Sequence, residues 1–400
     1  MTTATTTPPM TALEGLRVLD LTRLLPGATC TMLLADLGAE VLKIEQPGEG
    51  DYNRSFEPIN RKESGSFLLL NRNKRSITLN LKQDEGKEVF RRLVKEYDVV
   101  VEGFRPGVMD RLGFGYEELK ALNPRVIVCS ISGFGQTGPL REASGHDLNY
   151  MALSGALQLF GTRESGPIVP GLSIADVGGG SLMAVYAILA AVIARQKHDV
   201  GQYIDVSMFD GVVTWLAYHA ADYLFAGIEP KGGQRPFIGA APCYNVYRCA
   251  DGKHLSLGII EPHFWSRFCK EVGKPEWIEE QWPTGEAAAA QFHAIATLFR
   301  SASCAEWVER LARIDVPAAP VNTMQEAFAH PQSVARDLLY YCEHPVEGRI
   351  PQLGFPVKLS ATPAGHRCPP PMLGEHTDEV LKSLDYSEKQ IQELRNRNAV

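Results

Sequence analysis

No run of apolar residues in this 400-residue chain is long enough to cross a bilayer. The longest, Leu182 to Ala194, covers thirteen positions, against about 20 for a membrane span, and reads as a buried core helix. None of the eight cysteines stands in a C-x-x-C pair, and no Cys/His cluster has zinc-ligand spacing, which excludes the common zinc modules. Scattered thiols suit a reducing compartment. No block of Lys and Arg offsets the net charge of −7, which argues against a nucleic-acid partner. Local basic clusters remain able to hold one polyanionic small molecule. The first residues carry neither a charged n-region nor an apolar h-region, so residues 1–12 are expected to be a disordered tail. The C-terminal Asn-Ala-Val is no peroxisomal address. The expected setting is the cytoplasm, with no membrane partner.

What is present is an ordinary globular balance, 44% hydrophobic and 22% charged, with length for two domains. Leu16 to Leu21 reads as a strand broken by Pro26-Gly27. Ala28 to Leu37 has helical spacing, and Glu40 to Glu45 is the next strand. Ser76 to Leu81, Asp98 to Glu102 and Arg125 to Ile131 read as further strands. Helical patterns at Asp84–Tyr97 and Met109–Leu122 separate them. This alternation predicts a doubly wound α/β layer. Val206 to Phe225 reads as a strand running into a long helix. A Gly/Pro-rich stretch from Gly227 to Pro242 marks a boundary. Beyond it come a hairpin over Cys243–Ile260 and three helical patterns, a smaller α+β domain. After Pro317 the chain is expected to be extended until a charged amphipathic helix at Thr377–Asn398. The domains so placed are 13–226, 227–330 and a C-terminal segment 331–400.

Gly133-Phe-Gly-Gln-Thr-Gly138 matches the dinucleotide fingerprint but leads into no helix and sits late in the sheet, so it is read as a loop. Asn71-Arg-Asn-Lys-Arg75 is a basic cluster, and Arg105 and Arg111 flank a turn. Such clusters are usually solvated surface; Arg forks also suit phosphate. His146 alone is a weak signal. Asp176 is a stronger one, because it precedes Gly178-Gly179-Gly180 at the start of a helical pattern. Three glycines there cost helix stability, roughly 1 kcal/mol each relative to Ala. A ligand oxygen approaching the backbone would explain them. Glu261 ends an apolar strand before Pro262, where it either marks the exit from the core or orients an imidazole.

With these residues collected, the chain resembles the family III CoA-transferase (CaiB/BaiF) superfamily. The motifs that carry the likeness include Asp36-Leu-Gly-Ala-Glu-Val, Asn71-Arg-Asn-Lys-Arg, Phe104-Arg-Pro-Gly, Gly133-Phe-Gly-Gln-Thr-Gly-Pro and Leu373-Gly-Glu-His-Thr-Asp-Glu-Val. Within the superfamily it resembles the α-methylacyl-CoA racemases. The matching segments are Gly145-His-Asp-Leu-Asn-Tyr150, Asp176-Val-Gly-Gly-Gly180 and Gly258-Ile-Ile-Glu-Pro262. The resemblance implies an α/β fold: a Rossmann-like large domain with a parallel sheet, a smaller α+β domain, and an interlocked homodimer. It implies epimerisation of 2-methylacyl-CoA thioesters, with the CoA thioester as substrate and neither cofactor nor metal. His146 and Asp176 are the implied proton carriers, with Glu261 orienting His146 from the other subunit. Asn71, Lys74, Arg75, Phe104, Arg105, Arg111, Gly145, Asp147 and Tyr150 are the implied substrate and CoA contacts. Backbone N–H groups of Asp176, Val177 and Gly178 are expected to stabilise the enolate. The alternative is a CoA-transferase in which Asp176 attacks the thioester and becomes an aspartyl-CoA thioester.

Overall fold

The computed structural model describes residues 10–400. Of the expected tail over 1–12, residues 1–9 lie outside the described residues. The chain is tied down from Leu13, whose N–H donates to the Leu37 carbonyl at 3.0 Å. Two compact units divide it. The first comprises the described residues up to Ser154, Leu172–Thr214 and Pro331–Val400; the second comprises Gly155–Gly171 and Trp215–His330. The sequence pattern places boundaries at 227 and 331, whereas this division falls at 155, 172, 215 and 331.

The first unit is built on six parallel strands: β1 (Arg17–Asp20), β2 (Glu40–Glu45), β3 (Lys74–Thr78), β4 (Val99–Glu102), β5 (Ile127–Ser132) and β6 (Gln202–Ser207). Their order is β3-β2-β1-β4-β5-β6, all pairs parallel. β1, β4 and β5 are almost wholly buried, which suits their continuous apolar runs. Helix α1 (Leu24–Asp36) links β1 to β2, and α2 (Asp84–Glu96) links β3 to β4. In α2 the buried positions Val89, Phe90, Leu93 and Val94 fall on one face, and Asp84, Glu85 and Lys95 complement the helix dipole. They pack with Leu19, Leu42 and Val100 of the sheet. The same cluster takes Val380, Leu381, Ile391 and Leu394, so the C-terminal helices close on the sheet.

Several elements depart from expectation. α1 starts four residues before Ala28, running through Pro26 and Gly27. Proline is tolerated in a first turn because its missing N–H has no intrahelical partner there. The expected helix over 109–122 is split by Gly113, which is left-handed at φ 83°. The expected single C-terminal helix is two, Thr377–Ser383 and Glu388–Asn396, with Asp385 at φ 65° between them. The stretch after Pro317 is not simply extended: it holds helices Met324–Ala329 and Pro331–Ala335 and a hairpin, Leu339–His344 with Gly348–Leu353.

A short helix, α3 (Asp147–Leu153), precedes the main departure. Ala175–Leu182 is a π-helix that continues into α4 (Met183–His198). The joined stretch is 24 residues, so by length and composition alone it could cross a membrane. The expectation that this run is too short is corrected by the π-turns fused in front of it. It packs against α1, β5 and β6, as a core helix of the sheet layer does. Helix α5 (Met208–Trp215) follows β6.

The second unit contains β7 (Tyr244–Arg248), β8 (His254–Gly258) and β9 (Ala318–Pro320) in an antiparallel sheet of order β9-β8-β7. Helix α6 (Pro262–Glu271) and helices Gly285–Phe299 and Cys304–Arg313 pack on it around Trp265, Phe268, Phe299 and Trp307.

Candidate active site

The order of the parallel sheet reverses direction between β1 and β4, and ligands of such sheets bind beyond the carboxyl ends of the strands at that reversal. A cavity of about 810 Å3 opens there. One wall is Thr22, Arg23 and the first turn of α1 after β1, another the Gly103–Pro106 turn after β4, and a third Ile131–Phe134 at the end of β5. Every lining residue belongs to the first unit.

The turn after β1 is held by buried charge. The Asp20 carboxylate accepts from Thr22 N–H at 2.9 Å and Thr22 Oγ1 at 2.5 Å through one oxygen, and from Thr31 Oγ1 at 2.6 Å through the other. Lys74 Nζ lies 3.1 Å from Asp20, and Lys43 Nζ donates to the Thr22 carbonyl and pairs with Asp51 at 3.0 Å. Burial works to raise the Asp20 carboxyl, but Lys74, Lys43 and the hydrogen bonds from Thr22 and Thr31 together outweigh it and hold it at about 2. Burial pulls Lys74 down to about 8 against the pull of Asp20. Leu24, a branched residue at φ 60°, sits on this scaffold with its N–H on Asp51. A bulky residue in that conformation is a strained one, and it faces the cavity.

His146 and Asp176 both line the cavity. His146 is exposed at the start of α3, and its N–H donates to Asn149 Oδ1 at 3.1 Å. Asp176 stands in the first turn of the π-helix. Burial first, and the Asp147 carboxylate second, raise its carboxyl to about 6; His146 works the other way. π-Turns in soluble proteins are found frequently at functional sites. Tyr150 closes the cavity floor: its hydroxyl donates to the Gly145 carbonyl at 2.6 Å. A Cβ on Gly133 or Gly145 would meet the Tyr150 ring at 2.5 or 2.6 Å, so both glycines make room for that ring. Burial, then the charges of Asp176 and Asp147, push the Tyr150 hydroxyl up to about 12.

The other expected contacts divide. Phe104, Arg105, Gly145 and Tyr150 line the cavity. Arg105 also donates to Ser144 Oγ at 2.8 Å. Asn71 and Lys74 do not reach it: both are 0% exposed. Lys74 Nζ is used by Asp20, the Ala28 carbonyl and Asn71 Oδ1. Arg75 pairs with Glu40 and Glu379, and Arg111 is exposed off the cavity. Asp147 is half-buried and does not line it. Glu261 lies in the second unit, exposed at the N-cap of α6, and is not among the lining residues.

Two of the three backbone N–H groups expected to stabilise the enolate are engaged within the protein. Asp176 N–H donates to Asp147 Oδ1 at 2.9 Å, and Val177 N–H to the Ser173 carbonyl at 3.1 Å. Both donors are used within the protein, and neither Val177 nor Gly178 lines the cavity. The neighbouring glycines answer to packing. A Cβ on Gly179 would meet the Met208 carbonyl oxygen at 2.5 Å, and one on Gly180 the Met208 Cγ at 2.9 Å.

The sequence reading missed Arg23, Leu24, Leu25, Tyr52, Arg141 and Asn149, all in the lining. Arg23 donates to the Tyr52 hydroxyl at 2.8 Å. The usable signal was topological: the turn after the first strand of a doubly wound sheet faces the ligand. Arg23, Arg105 and Arg141 place three guanidinium groups in the lining, a group whose fork suits phosphate. Among the described residues no group of three His, Cys, Asp or Glu side chains is placed to hold a metal ion.

A family profile described as CoA-transferase family III matches residues 13–377. The chain is 34% identical over 395 residues to the Homo sapiens succinyl-CoA:glutarate CoA-transferase, covering 97% of this chain and 90% of that one. It is 35% identical over 391 residues to the Homo sapiens alpha-methylacyl-CoA racemase, covering 96% of each. A crystal structure of a CAIB/BAIF family protein from Brucella suis superposes with a TM-score of 0.82 at 34% identity, covering 94% of this chain and all of that one.

Proposed function

Because the chain belongs to CoA-transferase family III, we propose that it moves the α-proton of 2-methylacyl-CoA thioesters and so epimerises C2 through an enolate. One observation carries the reading: an imidazole and a carboxyl held at about 6 open onto the same cavity. An acid/base group transfers protons best when its pKa lies near the working pH. His146 takes the proton on one face and Asp176 returns one on the other. The reverse direction exchanges their roles. The oxygen of the enolate needs positive charge close by. Arg105, whose charge is felt at Tyr150 together with that of Asp176, is assigned to it. Arg23 and Arg141 are assigned to the phosphates of CoA. We further propose that the acting species is a cytoplasmic homodimer.

The test is isotopic. The protein is incubated with a 2-methylacyl-CoA in deuterated water with no second carboxylic acid present, and C2 is followed by NMR. Deuterium entering C2 with loss of optical purity supports the reading. His146→Ala and Asp176→Asn are each expected to slow exchange by about 10²–10⁴-fold, the usual worth of general acid–base catalysis. No exchange with the wild type overturns it.

A second reading is kept because relatives of this chain are named as CoA-transferases. There the Asp176 carboxylate attacks the thioester carbon and expels the CoA thiolate, leaving a mixed anhydride. The thiolate then attacks the aspartyl carbonyl, releasing the acid and leaving an enzyme–CoA thioester. Inactivation by hydroxylamine only after acyl-CoA is added, with the label at Asp176, supports this second reading.

A further inference from the structure

We propose that Asp147 is the positioning residue that makes Asp176 a proton carrier: one oxygen of its carboxylate holds the Asp176 backbone N–H while its charge stands beside the Asp176 carboxyl. The sequence had given Asp147 a contact with substrate. The structure places it off the cavity, half-buried, with Oδ1 2.9 Å from the Asp176 nitrogen. His146, its neighbour in the chain, does line the cavity. The two neighbours therefore differ: His146 lines the cavity with Asp176, and Asp147 holds the Asp176 backbone.

A like charge beside a carboxyl keeps it protonated to higher pH, and burial does the same. Both act on Asp176, burial more than Asp147, and His146 opposes them. The other elements packed on the π-turn add little charge. α1 presents Pro26 and Gly27 at this end. Asp205 of β6 is used by the Gln136 N–H, and Asp210 of α5 by the Ser207 hydroxyl. α3 adds Tyr150, and Arg23, Arg105 and Arg141 stand in the cavity lining. Asp147 is thus the carboxylate whose charge reaches Asp176.

The inference rests on the proton-transfer reading above and deepens it. A carboxyl that must both give and take a proton profits from a neighbour that keeps it near half-protonated at working pH. A carboxylate that acts only as a nucleophile does not.

Asp147→Asn tests it, because asparagine still offers an oxygen to the Asp176 N–H and removes only the charge. Asp147→Ser is a second uncharged acceptor, should the first variant fold poorly. The Asp176 carboxyl is titrated by 13C NMR, its resonance assigned by loss in Asp176→Asn. Its midpoint is expected to fall below the wild-type position in both variants. The pH at which α-deuterium exchange declines is expected to fall with it. kcat at neutral pH drops, while KM for the acyl-CoA stays unchanged because Asp147 does not line the cavity. A midpoint that stays in place in the folded variants overturns the proposal. A midpoint that moves in a protein whose wild type exchanges no α-proton overturns the isomerase reading and leaves the Asp147–Asp176 coupling standing.

Discussion

A carboxyl that titrates near 6 in the folded chain and near 3.8 when free weakens the fold whenever it is ionised. The favourable contribution is full below the unfolded pKa and is lost as pH rises through about 6. Each unit of difference is about 1.4 kcal/mol, so the gap is on the order of 2–3 kcal/mol before solvent screening reduces it. Asp176→Asn, which cannot ionise, is therefore expected to be more stable than the wild type at pH 8. The gain shrinks as pH falls from 6 towards 4. Urea unfolding at pH 8, 6 and 5 measures it; equal or lower stability of the variant at pH 8 defeats the argument. The two residues that the cavity brings together, His146 and Asp176, were legible because each stands in a local motif. That Asn71 and Lys74 lie inside was not legible, because a basic cluster reads as surface and nothing near it in sequence names Asp20, 54 positions away, as the partner that takes Lys74 inside. The bond that Asp147 accepts was hidden for the same reason, since its partner N–H is 29 positions on.

At the scale of elements, the π-helix is a packing solution. Gly179 and Gly211 bring its backbone against α5: a Cβ on Gly211 would meet Gly179 Cα at 2.4 Å. Replacing Gly by Ala in a helix normally gains about 1 kcal/mol. At Gly179 the clash is with the Met208 carbonyl at 2.5 Å, backbone that cannot swing away. Overpacking of this kind costs about 1–3 kcal/mol or more, so Gly179→Ala is expected to lower Tm by several degrees. Gly180→Ala meets mainly the flexible Met208 side chain and is expected to be milder; Gly171→Ala, with nothing within 4 Å, serves as the neutral control. Calorimetry of the three variants ranks them, and a Gly179→Ala protein as stable as Gly171→Ala refutes the packing account. The strand–helix alternation of the sheet was legible, since buried parallel strands announce themselves as short apolar runs. What sequence could not resolve was where helices stop and why glycines gather. Gly113 and Asp385 interrupt patterns that periodicity alone carries through. A glycine required by a neighbouring helix also looks like one required by a ligand.

Over the whole molecule, one helix of the second unit leaves most of its apolar side chains uncovered. Ala217–Ala226 contains Tyr218, Tyr223, Leu224 and Phe225, yet none of its residues is buried. Phe225 is 89% exposed and Leu224 71%. In the first unit Leu182, Tyr186 and Ile193 recur at helical spacing on the π-turn and α4 and are exposed as well. Monomeric proteins rarely leave contiguous apolar surface of this kind in water. An apolar helix without a buried face has to find one in another chain. The homodimer proposed above would supply it: obligate dimers bury about 2,000–5,000 Å2, mostly apolar. Sedimentation velocity of the full chain is therefore expected to show a dimer that persists at submicromolar concentration. Phe225→Glu and Tyr186→Glu place a charge on each exposed face and are expected to shift the population towards monomer or aggregate, with the far-ultraviolet spectrum of the sheet unit retained. A wild-type chain that sediments as a monomer at tens of micromolar removes the dimer from the account, and leaves these two faces to a partner of another kind.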